Sequence, residues 1–327
     1  MTTQFIRTPI TISNTQPQPT SANFQQLIQV PIPQYLNGVR FWSPTDGWLH
    51  AWLENISNGT ATMWVKIPSS IPANGTYQLY MMQDSTLPMD GVYWGEAPQL
   101  SSTYAQYDNG ASVFGAYDNF AGTTLSSQWT EINSPTLTIN NGITVAGNGQ
   151  TGGIYLKTKY SLPAVLEAYT GNWPYFSTFA FINDINGGPY TNTGYIAGGT
   201  GTGEAYNALM ADPIGANPTG SAFQYWLNGG FYPVGPTLGS IIQNNIVSIY
   251  SSGSTIGQLI NYGSTSSVSA SVSLPSTTYN IEIFASSGNS IQLHWIRYRA
   301  YPPNGVMPSA SFGASQYSGE LITVTVP

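Results

Sequence analysis

Gly115-Ala116-Tyr117-Asp118-Asn119-Phe120-Ala121-Gly122-Thr123-Thr124-Leu125-Ser126-Ser127-Gln128-Trp129-Thr130 divides the chain. Short runs of apolar residues bounded by turn signals lie on both sides of it, and neither side carries an amphipathic helical pattern. The stretch reads as the opening strand of a second β domain, which leaves residues 1–112 as a first domain.

Upstream, Phe5-Ile6, Ile10-Thr11-Ile12 and a run from Phe24 to Ile32 that ends in Pro-Ile-Pro read as strands. Val39 to Trp42, Trp48 to Leu53, Ala61 to Ile67 and Tyr77 to Met82 follow, separated by Thr45-Asp46-Gly47, Asn58-Gly59 and Asn74-Gly75. Asn-Gly and Asp-Gly supply the left-handed backbone that tight hairpins require, so the pattern predicts a small antiparallel β-sandwich.

Downstream, candidate strands fall at 137–139, 143–145, 153–158, 164–169, 177–182, 222–227, 246–250, 258–262, 268–272 and 279–285. That many strands fit a jelly roll better than an immunoglobulin-like sandwich, and residues 113–314 are assigned to it. Residues 315–327 remain as a tail, in which Leu321, Thr323 and Thr325 alternate with Ile322, Val324 and Val326. A spare strand needs a sheet edge. It either returns to the first domain or acts as an assembly strand added to a neighbouring subunit.

Arg7-Thr-Pro-Ile-Thr-Ile-Ser-Asn14, Val39-Arg-Phe, Leu49-His-Ala-Trp-Leu-Glu54, Met63-Trp-Val-Lys-Ile-Pro68 and Ile71-Pro-Ala-Asn-Gly-Thr-Tyr-Gln-Leu-Tyr80 resemble, in order and spacing, a β domain of unknown function from archaeal and bacterial surface proteins. In that family the domain precedes a concanavalin A-like jelly roll of the LamG or glucanase type, opened by Asp-Asp-Phe-x-Gly-Thr-x-Leu-x-x-x-x-Trp. Asp118, Phe120, Gly122, Thr123, Leu125 and Trp129 are similar to it, with Asn119 in place of the second Asp. Leu293-His-Trp-Ile-Arg-Tyr-Arg299 resembles the closing strand. The resemblance implies an all-β chain in which Tyr117 to Phe120 pairs near Trp295 to Tyr298, and it assigns no chemistry.

Charged residues are only 6% of the chain and the net charge is −7. Soluble globular proteins carry about 25% charged residues, so this surface is polar but nearly uncharged. A surface of that kind predicts a weak dependence of stability on acid pH, although the composition is also common among secreted and virion β proteins. The seven basic residues form no tract, which argues against a nucleic-acid partner. No apolar run reaches 18 residues, which argues against membrane insertion by a helix. The sequence implies no cofactor, and it has no cysteine.

A glycoside hydrolase needs two carboxylates about 5–9 Å apart. Glu167 and Glu282 sit on separate candidate strands and read as outward-facing strand residues, so the chain is expected not to be an enzyme. His50 and His294 read as packed strand histidines. Asn183-Asp184-Ile185-Asn186 is either an Asx turn or a weak cation loop with the single carboxylate of Asp184. Glycan-binding candidates are Trp173 and Tyr175, Tyr190 and Tyr195 in a glycine-rich loop, and Trp226, because flat aromatic faces stack on sugar rings.

Taken as the natural start, Met1-Thr-Thr-Gln-Phe-Ile-Arg-Thr has neither a basic nor an apolar leader region, which points to a virion surface reached by assembly. A signal removed ahead of Met1 would point instead to an extracellular, cell-surface adhesin or a filament built by strand donation. The expectation is a structural protein of an archaeal virion surface, homo-oligomeric, with other virion subunits and a host glycan as partners.

Overall fold

The computed structural model describes residues 5–149, 152–173, 177–182, 208–211, 223–227, 230–234, 243–263, 266–274, 276–285 and 287–318. The chain forms two compact units, one of residues 1–115 with 302–327 and one of residues 116–301.

In the first unit β1 (Phe5–Ser13), β2 (Phe24–Pro31), β3 (Val39–Ser43), β4 (Gly47–Leu49), β5 (Ala51–Ser57), β6 (Thr60–Ile67), β7 (Thr76–Asp84) and β8 (Trp94–Glu96) make two sheets. One is ordered β1-β7-β3-β4 and the other β2-β6-β5-β8, antiparallel throughout except for β5 with β8. Along β1 every second residue is buried, so Ile6, Thr8, Ile10 and Ile12 face inward. Three buried tryptophans carry ring N–H groups that need acceptors. Trp52 donates to Asp108 Oδ1, Trp64 to Glu54 Oε2 and Trp94 to the Leu36 carbonyl, each at 2.8 Å. Asn58 and Asn74 take left-handed backbone, with φ of 50° and 47°, in the turns before β6 and β7.

The second unit contains β9 (Ala116–Asp118), β10 (Trp129–Ile132), β11 (Thr136–Ile139), β12 (Ile143–Ala146), β13 (Gly152–Ser161), β14 (Ala164–Thr170), β15 (Ser177–Ile182), β16 (Ala208–Ala211), β17 (Phe223–Leu227), β18 (Gly230–Val234), β19 (Ile246–Ser251), β20 (Thr255–Ile260), β21 (Ser266–Ser271), β22 (Thr278–Ala285) and β23 (Ser290–Ala300). Among the described residues, one sheet is ordered β10-β13-β22-β15-β16-β17-β18 and the other β11-β12-β23-β14-β19-β20-β21, with β9 also on β23. Between them lies one apolar core that includes Phe120, Trp129, Trp173, Phe179, Phe181, Tyr279 and Ile283. This is the all-β jelly-roll sandwich the sequence predicts. The opening and closing strands lie side by side, with Asp118 opposite Ile296 and Tyr117 opposite Arg297.

Asp118 explains why the opening stretch reads as it does. Its carboxylate accepts from the Phe120 amide at 2.7 Å and from Gln128 Nε2 and Trp129 Nε1 at 2.8 Å each. Phe120 is thereby held in left-handed backbone, φ 50°, with its ring 5.8 Å from that of Trp129 in the core. Replacing Asp118 by Ala is expected to cost about 2–3 kcal/mol in denaturant unfolding, because hydrogen bonds to a charged acceptor are lost together. An unchanged unfolding midpoint would show that the staple adds nothing.

The second unit spans Ala116–Tyr301. After it, β24 (Ser309–Phe312) and β25 (Gln316–Ser318) pair antiparallel with β1 and join the first unit. The return is pinned by Gln26 Nε2, fully buried, which donates to the Pro308 carbonyl at 2.8 Å.

Candidate functional site

On β22, Tyr279, Ile281 and Ile283 belong to the core, so period-two alternation turns Asn280, Glu282 and Phe284 to the outer face of that sheet. Cross-strand register adds Tyr155 and Ala180 beside Glu282, and Thr178 beside Phe284. Glu282 is closed to solvent, and neither of its carboxyl oxygens has a hydrogen-bond partner. Burial alone pushes its carboxyl well above the ordinary glutamate range, so it is held as a neutral acid that can donate a proton. Asn280 donates to the Leu156 carbonyl at 2.8 Å, while its own side-chain oxygen is unpartnered.

Glu167 has the opposite chemistry. Leu166 and Ala168 on β14 enter the core, so Glu167 lies on the outer face of the other sheet. Its Oε2 accepts from Arg297 Nε and its Oε1 from Arg299, both at 2.7 Å, and Ser248 Oγ adds a bond at 3.0 Å. Arg297 also donates to the Tyr262 hydroxyl at 2.7 Å and lies over the Trp295 ring at 4.7 Å. Burial would raise the Glu167 carboxyl, but the charges of Arg299 and Arg297 and their hydrogen bonds lower it to about 2. Sheets of a sandwich stand about 10 Å apart and these two carboxyls project from opposite outer faces, so they cannot flank one glycosidic bond. Among the described residues no second carboxylate shares the outer face with Glu282.

The other arrangement able to meet a ligand lies in the first unit, and the strand pattern did not single it out. Phe41, Leu49, Leu79 and Ile10 fill the core, so Trp42, Trp48, Tyr80 and Pro9 face outward. Register aligns them in one row across four strands, Trp48 opposite Trp42, Trp42 opposite Tyr80 and Tyr80 opposite Pro9. All four are partly exposed. The Trp42 and Tyr80 rings are 5.9 Å apart, and the Arg7 guanidinium lies 4.6 Å over Tyr80. Neighbouring strands are about 4.8 Å apart, so the three aromatic faces span a strip about 10 Å long, with Pro9 at its end. Such faces stack on the C–H face of a sugar ring, and the guanidinium supplies hydrogen-bond donors beside them.

The glycan candidates of the second unit fare differently. Trp173 is fully buried, its indole N–H donates to the Ser177 carbonyl at 2.7 Å, and its ring packs 5.6 Å from Phe179. It is a core anchor and offers no face to a ligand. Tyr175, Tyr190 and Tyr195 lie outside the described residues, as do Asp184 and Leu321, Ile322, Val324 and Val326 of the tail. Trp226 sits on β17 in the cross-strand row that runs through Ala208 to Ile182. His50 stacks on Tyr93 at 4.9 Å in the first unit, and His294 lies 5.2 Å from Tyr169 in the second, each among aromatic neighbours. Among the described residues no helix is long and apolar enough to cross a membrane.

A family described as "Domain of unknown function (DUF2341)" matches residues 36–91, which contain Trp42, Trp48 and Tyr80. The chain is similar to "Uncharacterized protein 562" of Sulfolobus islandicus rod-shaped virus 1, 28% identical over 342 residues, covering 92% of this chain and 58% of that protein. The chain therefore spans under two thirds of that viral relative's length. Among solved structures, the metal-free carbohydrate recognition domain of Emp46p is 15% identical with a TM-score of 0.40, over 56% of this chain and 94% of that one. A β-glucanase of Bacillus licheniformis is 12% identical with a TM-score of 0.37, over 56% of this chain and 97% of that one. Both likenesses concern the fold alone.

Proposed function

We propose that the chain is a non-enzymatic structural protein on the surface of an archaeal virion, homo-oligomeric or joined to other virion subunits, that contacts host glycans. The observation that carries the virion reading is the viral relative, which aligns along 92% of this chain and so along both units. The non-enzymatic reading rests on the buried carboxylates, Glu167 locked between two arginines and Glu282 on the opposite outer face. Glycan contact is assigned to the Trp48, Trp42 and Tyr80 row, whose flat faces and near neutrality suit an uncharged sugar chain.

An antibody against the protein is expected to decorate the outside of intact virus particles from the native culture in electron micrographs. Label confined to cell envelopes would move the protein to the cell-surface reading. In a separate binding assay, the double variant Trp42→Ala/Tyr80→Ala is expected to weaken binding to host envelope glycan by about 10-fold, since aromatic stacking contributes roughly 0.5–1.5 kcal/mol per ring. Unchanged binding by a folded variant would remove the row from consideration.

A further inference from the structure

The outward face of the sheet that carries Trp48, Trp42 and Tyr80 has a second line of side chains beside them. Two residues along from the aromatic row, register sets Gln78 of β7 opposite Thr11 of β1, and Thr11 opposite Ser311 of β24. Successive outward residues of a strand stand about 7 Å apart, so this polar line flanks the aromatic one at that distance. Thr11 Oγ1 donates to Gln78 Oε1 at 3.1 Å, which engages the amide oxygen and leaves the nitrogen of this exposed residue as a donor. On the other flank Arg7 lies opposite Met82, and Met82 opposite Arg40. Arg40 is taken up by its ion pair with Asp90 at 2.8 Å, while Arg7 donates to Gln316 Oε1 at 3.0 Å.

An outward aromatic side chain occurs once on each of β4, β3 and β7, with Pro9 of β1 next in line, so the flat line runs across the strands and not along them. It starts on β4, the edge strand of its sheet among the described residues. Beyond Pro9 it meets Gly313, whose amide donates to the Pro9 carbonyl at 2.9 Å. A Cβ on Gly313 would come within 3.3 Å of the Pro9 ring, so the missing side chain keeps that end uncovered.

We infer that the ligand of this face is a linear, neutral glycan whose pyranose rings are bridged through opposite equatorial positions, as in a β-1,4-linked hexose chain, lying across β4, β3, β7 and β1. This inference deepens the glycan contact proposed above and rests on it. Such a chain is straight and repeats at a spacing close to that of neighbouring strands, about 5 Å, so consecutive rings take Trp48, Trp42, Tyr80 and Pro9 in turn. An axial bridge bends the chain and carries it off the line. Hydroxyl groups along the two edges of a straight chain meet Gln78 and Thr11 on one side and Arg7 on the other. With both ends of the line open, an internal stretch of a long polymer fits as well as a free end.

The test titrates the full chain by calorimetry with β-1,4-linked oligomers of glucose and of mannose, with α-1,4-linked glucose oligomers, and with host envelope glycan. Affinity in the β-linked series is expected to rise roughly 3-fold with each added sugar up to four and then level off, one step for each ring it stacks on. The α-linked tetramer is expected to bind about 10-fold more weakly than its β-linked counterpart. Trp48→Ala should move the plateau from four sugars to three, whereas Gln78→Ala should weaken the tetramer roughly 3-fold without moving the plateau. Equal affinity for α- and β-linked chains, or a β-linked dimer that binds as tightly as the tetramer, would overturn this inference and leave glycan contact at the row in place. Binding of host envelope glycan together with no binding of either β-linked series would have the same meaning. Absence of all glycan binding, envelope glycan included, would overturn both readings.

Discussion

Arg297→Met is expected to destabilise the second unit by about 3–5 kcal/mol at neutral pH, the range for removing one partner of a buried ion pair. For a domain of this size that corresponds to a fall of roughly 10 °C or more in Tm. The loss is large because Arg297 meets Glu167, Tyr262 and the Trp295 ring at once, and its side chain is closed to solvent. Glu167 is lowered to about 2 in the folded protein, against an ordinary glutamate value near 4.5. Its contribution, on the order of 3 kcal/mol, is thus complete above about pH 4.5 and disappears as pH falls through about 2. Arg297→Met should move that loss to higher pH, since one of the two charges holding the carboxyl down is gone. Urea unfolding between pH 2 and 7 measures both effects; a variant as stable as the parent would show that the ion pair only fills space. Replacing Glu167, Arg297 and Arg299 together by apolar residues is expected to be far less damaging than Arg297→Met alone, because no buried charge is then left unpaired.

Strands with a clear alternation or an unbroken apolar run were legible one by one. Ser177–Ile182 is found at its predicted bounds, and Ile143–Ala146 and Ala164–Thr170 within one residue of theirs. Trp94–Glu96 and Trp129–Ile132 were not legible, because neither contains an alternation or an apolar run of its own. The strand predicted at 258–262 stops at Ile260, because Asn261 and Tyr262 turn left-handed, with φ of 48° and 60°, and bring the Tyr262 hydroxyl to Arg297. The return of β24 and β25 to β1 was not legible, since no local signal says which sheet edge a strand will find. The aromatic row was hidden for the same reason: Trp48, Trp42 and Tyr80 become neighbours only through cross-strand register. Trp173 was a glycan candidate because a flat aromatic face can stack on a sugar ring, whereas its ring completes the core. The expected weak pH dependence followed from an uncharged surface, but the carboxyls that matter, Glu167 and Glu282, are buried.

Glu282→Gln is expected to stabilise the protein at neutral pH and to flatten its stability profile between mild acid and neutrality. Below the ordinary glutamate range Glu282 is protonated in both the folded and the unfolded chain, so it contributes no pH dependence there. As pH rises through that range the unfolded chain releases the proton, but the folded protein, with the carboxyl raised by burial, keeps it. Each pH unit up to the folded value then lowers stability by about 1.4 kcal/mol. The neutral amide has no proton to release, so parent and variant should diverge as pH rises. Parallel profiles would mean that Glu282 is ionised and solvated in the folded state, contrary to its burial. The two buried glutamates thus act in opposite directions, with Glu167 lowering stability below the ordinary glutamate range and Glu282 lowering it above. Glu282→Gln should therefore raise stability toward neutrality, while Arg297→Met should erode it on the acid side.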